Sequence, residues 1–167
     1  MPLVKIRFEI ANEVQFSRAF ETAGEQLKDL SKPFGLMADD FYQTMVNVFE
    51  AEGAFEERTK WQDLSPAYAR WKERHYPGRK ILELTGRMKD SLINRSMSDS
   101  VLEITPSEMS VGTRVPYAIF HQTGTPKMPM RKIIELTEAQ KLRWVHIAHR
   151  FLFDTMNEAA RATKRGQ

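Results

Sequence analysis

Val4, Ile6, Phe8 and Ile10 alternate with Lys5, Arg7 and Glu9, the period-two pattern of a strand with one buried face over about residues 3–10. From Asn12 the period changes. Asn12 with Gln15 can form a reciprocal cap, and Phe16, Ala19/Phe20, Ala23, Leu27 and Leu30 recur at helical spacing, predicting a helix over about 13–30. Ser31-Lys32-Pro33 interrupts it, and Met37, Phe41, Thr44/Met45, Val48 and Phe49 form a second apolar stripe that ends near Gly53. Two such helices in succession predict an antiparallel pair.

Residues 52–61 are polar without a period and predict a loop. Ser65-Pro66 starts a short helix of about 66–75, because Ser caps exposed amides and Pro at the first helical position gives up no bond. Its Tyr68, Trp71 and His75 share one face, which is expected to turn inward, and Tyr76-Pro77-Gly78 stops it. Thr85 caps a further short helix over 86–92. Residues 101–104 and 109–112 predict a hairpin closed by Thr105-Pro106-Ser107-Glu108. Pro116 to Gln122 predicts one or two helical turns closed by Gly124, Thr125 to Met130 an irregular loop, and Arg131 to Glu135 a short last strand. Thr137 with Gln140 forms a capping box for a final helix of about 137–163, whose expected inner stripe is Leu142, Val145, His149, Leu152, Met156 and Ala159/Ala160. Trp144, Ala148 and Phe151 widen that stripe beyond what a small sheet needs, so the surplus is a candidate interface. The fold expected is α+β: a small, mostly antiparallel sheet with the long helices packed on one face, in one domain spanning residues 1–167.

Composition narrows the chemistry. The 167 residues include no Cys, which excludes disulfides, thiolate catalysis and Cys-held metal centres. No apolar run reaches membrane-spanning length and the N-terminus lacks an export signal, so a soluble protein without membrane association is expected. The net charge is only +3, but it is unevenly placed: residues 1–57 carry 5 Lys/Arg against 11 Asp/Glu, residues 58–95 carry 10 against 4, and residues 96–167 carry 10 against 7. An acidic first third and a basic middle suit either a nucleic-acid surface or two complementary surfaces that meet, within one chain or between copies.

Phosphate-cradling glycine motifs, H-E-x-x-H, G-x-S-x-G and EF-hand loops are missing. His146 and His149, three apart, are near enough to share a metal in a site that His75 and His121 would complete, but no Asp or Glu occupies a neighbouring position on that helical face, so no metal or cofactor is expected. Asp39/Asp40 and Glu56/Glu57 are adjacent pairs that diverge by about 100° on a helix and are expected to be solvated. Residues 70–80 mix cations with aromatics, and Arg74, Arg79 and Lys80 are the candidates for nucleic-acid contact; the expected inward face of Tyr68, Trp71 and His75 weighs against it.

Three dense segments match no catalytic site: Trp61 to Lys72, Gly78 to Leu92 with its Leu84-Thr85-Gly86-Arg87 turn, and Val111 to Gly124. In this order and spacing they resemble the bacteriophage virion morphogenesis family, the Mu-like G proteins and tail completion proteins of contractile-tailed phages. The likeness is strongest over about 61–136 and continues through Pro129-Met130-Arg131, where this chain follows with Lys132-Ile133 in place of the Pro-Phe common in relatives. The resemblance implies a non-enzymatic phage or prophage structural protein, made in the bacterial host cytoplasm and placed in the tail or neck of the virion. It would act in tail completion and head–tail joining, with other tail and neck proteins as partners. A homo-oligomeric ring is our added inference, with the acidic 1–57 region of one copy facing the basic 58–95 region of the next. Candidate protein-interaction residues are Arg79, Arg87, Tyr117, His121, Gln122 and Arg131. Arg87, at a helix start whose dipole disfavours a cation, is expected to find a carboxylate, with the acidic first half as its source. Tyr117 shares a face with Phe120 and His121, and the loop from Gly124 to Met130 suits a segment that orders on contact with a partner.

Overall fold

The computed structural model describes residues 4–9 and 28–165 of the chain. The helix expected over 13–30 lies almost wholly outside the described residues. Among those described, β1 (Val4–Glu9), α1 (Ser31–Glu50), α2 (Pro66–His75), α3 (Arg87–Ile93), β2 (Ser100–Ile104), β3 (Glu108–Thr113), α4 (Ala118–Thr123) and α5 (Glu138–Arg165) follow in order. The fold is α+β, as the periodicities indicate.

β3 is the centre of a three-stranded antiparallel sheet, order β1-β3-β2. Val4 pairs with Thr113 and Glu9 with Glu108 on one side, Ser100 with Thr113 and Ile104 with Met109 on the other. The hairpin closes through Thr105, whose amide donates to Glu108 O at 2.8 Å and whose Oγ1 accepts from Glu108 N at 3.0 Å. Met109 and Val111 face the helices, where α1 places Phe34, Met37, Phe41, Met45, Val48 and Phe49. Two buried hydroxyl pairs join helix to sheet on that face: Tyr42 with Ser100 at 2.8 Å and Ser91 with Thr113 at 2.7 Å.

α1 begins at Ser31 and carries Pro33 in its first turn, where a missing amide donor breaks no helical bond. It is buried on both sides because α5 packs on its far side. The long final helix therefore forms a third layer on α1, away from the sheet. This also reverses the expected inner stripe. Gln140, Trp144 and Thr155 are buried, with Ile147 and Ala148 packed alongside and Phe151 half-buried, while Leu142, Val145, His149 and Met156 face solvent. Trp144 and Ala148, two of the three residues expected as surplus, belong to the inside.

A polar cluster fastens α5 to α1 and to the 52–58 loop. Asp40 accepts from Arg143 Nε at 2.7 Å, Trp144 Nε1 at 2.8 Å and Gln140 Nε2 at 3.2 Å. Glu56 accepts from Arg143 Nη1 at 2.6 Å and Thr137 Oγ1 at 2.7 Å. Asp40 and Glu56 are therefore not solvated carboxylates, contrary to the adjacency argument, because each meets donors from a segment eighty or more residues away. Glu57 accepts the Glu138 amide at 3.0 Å, and Asp39 pairs with Arg95. The capping box is half formed. Thr137 Oγ1 accepts the Gln140 amide at 3.2 Å, but the Gln140 side chain turns to Asp40 and to Arg58 Nη2, 3.1 Å away.

Residues 131–136 form no strand. Gln122 takes the place of a pairing strand: its Oε1 accepts from Ile133 N at 2.9 Å and Ile134 N at 3.0 Å, and its Nε2 donates to Ile134 O at 2.7 Å. A side-chain amide presents one donor and one acceptor, as a peptide group does, and here it satisfies the backbone of two buried isoleucines.

Candidate functional site

The three dense segments meet around one open cleft of about 1190 Å³. One wall is 62–68 with Lys72, a second is the 82–88 turn, and a third is α4 with the 127–131 loop.

Ser65 caps α2 through the Tyr68 amide at 3.4 Å. The aromatic face of this helix points outward, contrary to expectation: Tyr68 and Trp71 are exposed, and the buried residue is Lys72, 4% accessible. Lys72 turns its Nζ to the Lys80 carbonyl, and burial pulls its pKa down from the lysine norm. Outside, Tyr68 stacks on Trp71 at 5.5 Å and Trp71 on His75 at 4.8 Å, with Tyr76 tilted against the indole at 5.8 Å. Tyr68 brings one end of this ladder to the cleft rim.

The second wall turns sharply. Leu82 sits at φ 62°, a left-handed conformation that a branched side chain adopts only when its surroundings impose it. The bonds on either side impose it: Ile81 N donates to Glu52 Oε1 at 2.8 Å, Glu83 N to Lys80 O at 3.1 Å, and the Glu83 carboxylate holds Lys89 at 2.8 Å. Gly86 follows at φ 89° as the residue before α3, with Thr85 Oγ1 3.4 Å from the Arg87 amide. Arg87 does find a carboxylate, but from the later part of the chain: Asp99 takes Nε at 2.6 Å and Nη2 at 3.0 Å. The pairing holds the Asp99 carboxyl below the usual carboxylate range and raises Arg87, while the guanidinium stays exposed at the cleft edge.

The third wall carries Tyr117, Phe120 and His121. Tyr117 and His121 meet edge to face at 6.3 Å, as their spacing of four predicts. Tyr117 and Phe120 are exposed on the rim. His121 Nδ1 is buried with no hydrogen-bond partner, and burial, with the Arg131 charge second, lowers the imidazole below its ordinary 6.5. Gly124 makes the exit from α4 possible at φ 73°: a Cβ there would lie 2.9 Å from the Met130 amide nitrogen. The following loop is already formed, with Thr125 and Met128 bonded both ways at 2.8 and 3.1 Å.

Arg87, Tyr117, His121 and Arg131 are thus brought together in the cleft lining. Arg131 forms its floor, 6% accessible, with Nε to Gln62 O at 2.8 Å and Nη2 to Asp63 O at 3.2 Å. Gln122 lies behind it as the backbone clasp, and Arg79 is in the exposed turn after α2, outside the lining. Sequence reasoning missed Tyr68, Leu82, Phe120, Met128 and Pro129 as lining residues. The proline-bounded loop was the available signal for the last two. Of the nucleic-acid candidates, Arg74 is exposed, whereas Lys80 gives its Nζ to Glu50 O at 2.7 Å. Among the described residues no group of three or more His, Asp or Glu is placed to hold a metal ion, and no helix is long and apolar enough to cross a membrane.

The model of the phage virion morphogenesis family matches residues 11–164 of this 167-residue chain. The chain belongs to the phage virion morphogenesis family. Comparison with curated proteins and with solved structures gives no match. Membership assigns the protein a role in building the phage particle, in company with other virion proteins.

Proposed function

We propose that this family member acts late in tail assembly, completing the tail and joining it to the head as a non-enzymatic component of the tail or neck. The observation that carries the reading is the convergence of the three family-like segments on one cleft. Tyr68, Tyr117 and Phe120 supply apolar contact area on its rim, Arg87 offers a cation whose direction Asp99 fixes, and Arg131 keeps the floor rigid. Such an arrangement accepts an exposed segment of a neighbouring tail or neck protein. Copies are proposed to assemble head to tail into a ring. Asp39, Asp40 and Glu56 are already engaged within the chain, so contact between copies would draw on other carboxylates of the acidic first third.

Complementation of a phage lacking this gene tests the reading. The parent gene should restore infectivity, and Tyr117→Ala combined with Phe120→Asp should leave heads and tails unjoined in electron micrographs. Normal particles without the gene would overturn it.

A second reading keeps one observation in its favour: the aromatic ladder beside Arg74 is exposed, as single-strand binding surfaces are. Against it, both faces of Trp71 are covered by Tyr68 and His75, leaving little ring surface for a base. A salt-sensitive gel shift, lost on charge reversal of Arg74, Arg79 and Lys80, would favour this reading; no shift with the parent protein ends it.

A further inference from the structure

The solvent side of α5 is more apolar than a free helix face needs to be. Leu142 is 60% accessible, Val145 42%, Phe153 66% and Met156 48%. Leu142, Val145, His149, Leu152 and Met156 follow one another in alternating steps of three and four, with His149 exposed and Leu152 half-buried. That alternation matches, over two heptads, the spacing at which one helix packs along another in a two-stranded coiled coil. A strand or an extended peptide would not require it.

We propose that this stripe is a pairing surface for the same helix of a second copy, related by a two-fold axis passing at His149. Three observations identify the occupant. The spacing calls for another helix over a stretch of about 21 Å, taking 1.5 Å per residue. None of the five seam positions carries a formal charge, so two identical stripes can meet without setting like charge against like. The one polar member, His149, is the midpoint, seven residues from Leu142 and seven from Met156. On a two-fold axis it meets its own copy, and a neutral imidazole has one donor and one acceptor, so the two rings can share one N–H···N bond and turn their outer nitrogens to solvent at the seam edge. An unrelated apolar helix would leave that imidazole buried and unpaired. A polar residue at one seam position is also how coiled coils fix register.

The contact is separate from the cleft and from the head-to-tail ring. Loss of infectivity in cleft variants would leave it standing, and its failure would leave the tail reading standing.

The chain has no cysteine, so a single introduced thiol reports contact directly. Under mild oxidation, His149→Cys should form a disulfide-linked dimer several-fold faster than Arg150→Cys. The Arg150 side chain is 87% exposed but points about 100° away around the helix. Light scattering should show the parent protein as a dimer at high concentration, and Leu142→Lys with Val145→Lys as a monomer of unchanged far-UV circular dichroism. Leu142→Gln with Val145→Gln gives the same readout should the lysine pair fail to fold. A parent protein that stays monomeric at all concentrations, or equal cross-linking at 149 and 150, would overturn the proposal.

Discussion

The joint between α5 and α1 turns on one carboxylate, and Asp40→Ala measures what it contributes. Asp40 accepts from three donors, and their burial decides how much each loses. Trp144 is wholly inaccessible, so its indole N–H, 2.8 Å from Asp40 Oδ2, would have no water to turn to. A buried donor left unpaired costs about 1–3 kcal/mol. Arg143 is 38% exposed at its side chain and keeps Glu56, so loss of its Asp40 contact is largely screened and contributes about 0–1 kcal/mol. Gln140 keeps Arg58 at its Oε1, but its buried Nε2 loses the Asp40 acceptor at 3.2 Å and adds about 1 kcal/mol. The sum is about 2–5 kcal/mol, which for a chain of this length lowers Tm by roughly 5–20 °C. Calorimetry on parent, Asp40→Ala, Trp144→Phe and the double variant separates the orphaned indole from the cavity that Trp144→Phe creates. The two changes should couple by about 1 kcal/mol or more, because without the indole the carboxylate has less to satisfy. A Tm loss below about 2 °C for Asp40→Ala, or strict additivity, would refute the reasoning.

Gln122→Leu removes the group that stands in for a pairing strand and strands two amides and a carbonyl in the core; the unfolding free energy from urea titration should fall by about 2–4 kcal/mol, and little change would show that water enters to replace the lost bonds. Gly124→Ala sets a Cβ 2.9 Å from the Met130 amide nitrogen at a backbone angle of φ 73°, so it should destabilise by about 1 kcal/mol or more and weaken any partner held by the cleft; a neutral variant would mean that the loop yields freely. The depressed pKa of His121 gives a pH effect with a definite sign. Above the unfolded value, near 6.5, neither state holds the proton and stability is complete; as pH falls below it the unfolded chain binds the proton first, and stability declines until the folded pKa is passed. His121→Gln should therefore flatten the stability curve between pH 8 and 5 relative to the parent, and identical curves would remove the linkage.

Where structure depends on local chemistry, the chain was readable from its residues alone. Ser65-Pro66 and Tyr76-Pro77-Gly78 bound α2, and the Thr105 to Glu108 turn sets the hairpin register. Tyr117, His121, Arg87 and Arg131 were recognisable as belonging to related segments, and folding brings them to one cleft. What failed was the orientation of faces that are apolar over most of their circumference. On α5 two stripes compete, and Gln140 and Thr155 occupy the buried one because Arg58 and Asp40 answer the first and the Phe151 carbonyl, 2.9 Å away, the second. On α2 the aromatic face is the more apolar, yet Lys72 goes inside because the 80–83 turn supplies a carbonyl and a carboxylate around its ammonium. The missing last strand and the Asp40 cluster share a cause: both depend on side chains from distant segments, to which short-range periodicity is blind.

Those distant contacts also constrain the pairing proposed for α5. The helix is fixed to α1 mainly through its first two turns, by Gln140, Arg143 and Trp144, and the stripe centred on His149 is aimed by that fixture. Loosening the fixture should therefore misdirect the stripe without altering any residue in it. At a temperature where Asp40→Ala is still folded, its His149→Cys derivative should cross-link more slowly than the parent's, by several-fold. The converse does not hold: Leu142→Lys with Val145→Lys changes exposed positions only and should abolish pairing with a Tm shift that vanishes at low protein concentration, where the parent too is monomeric. This asymmetry separates a seam held in place by the protein body from a helix that associates by itself. Cross-linking at 149 that is insensitive to Asp40→Ala would show that the helix needs no such support, and the link drawn between the buried carboxylate and the outer stripe would fall.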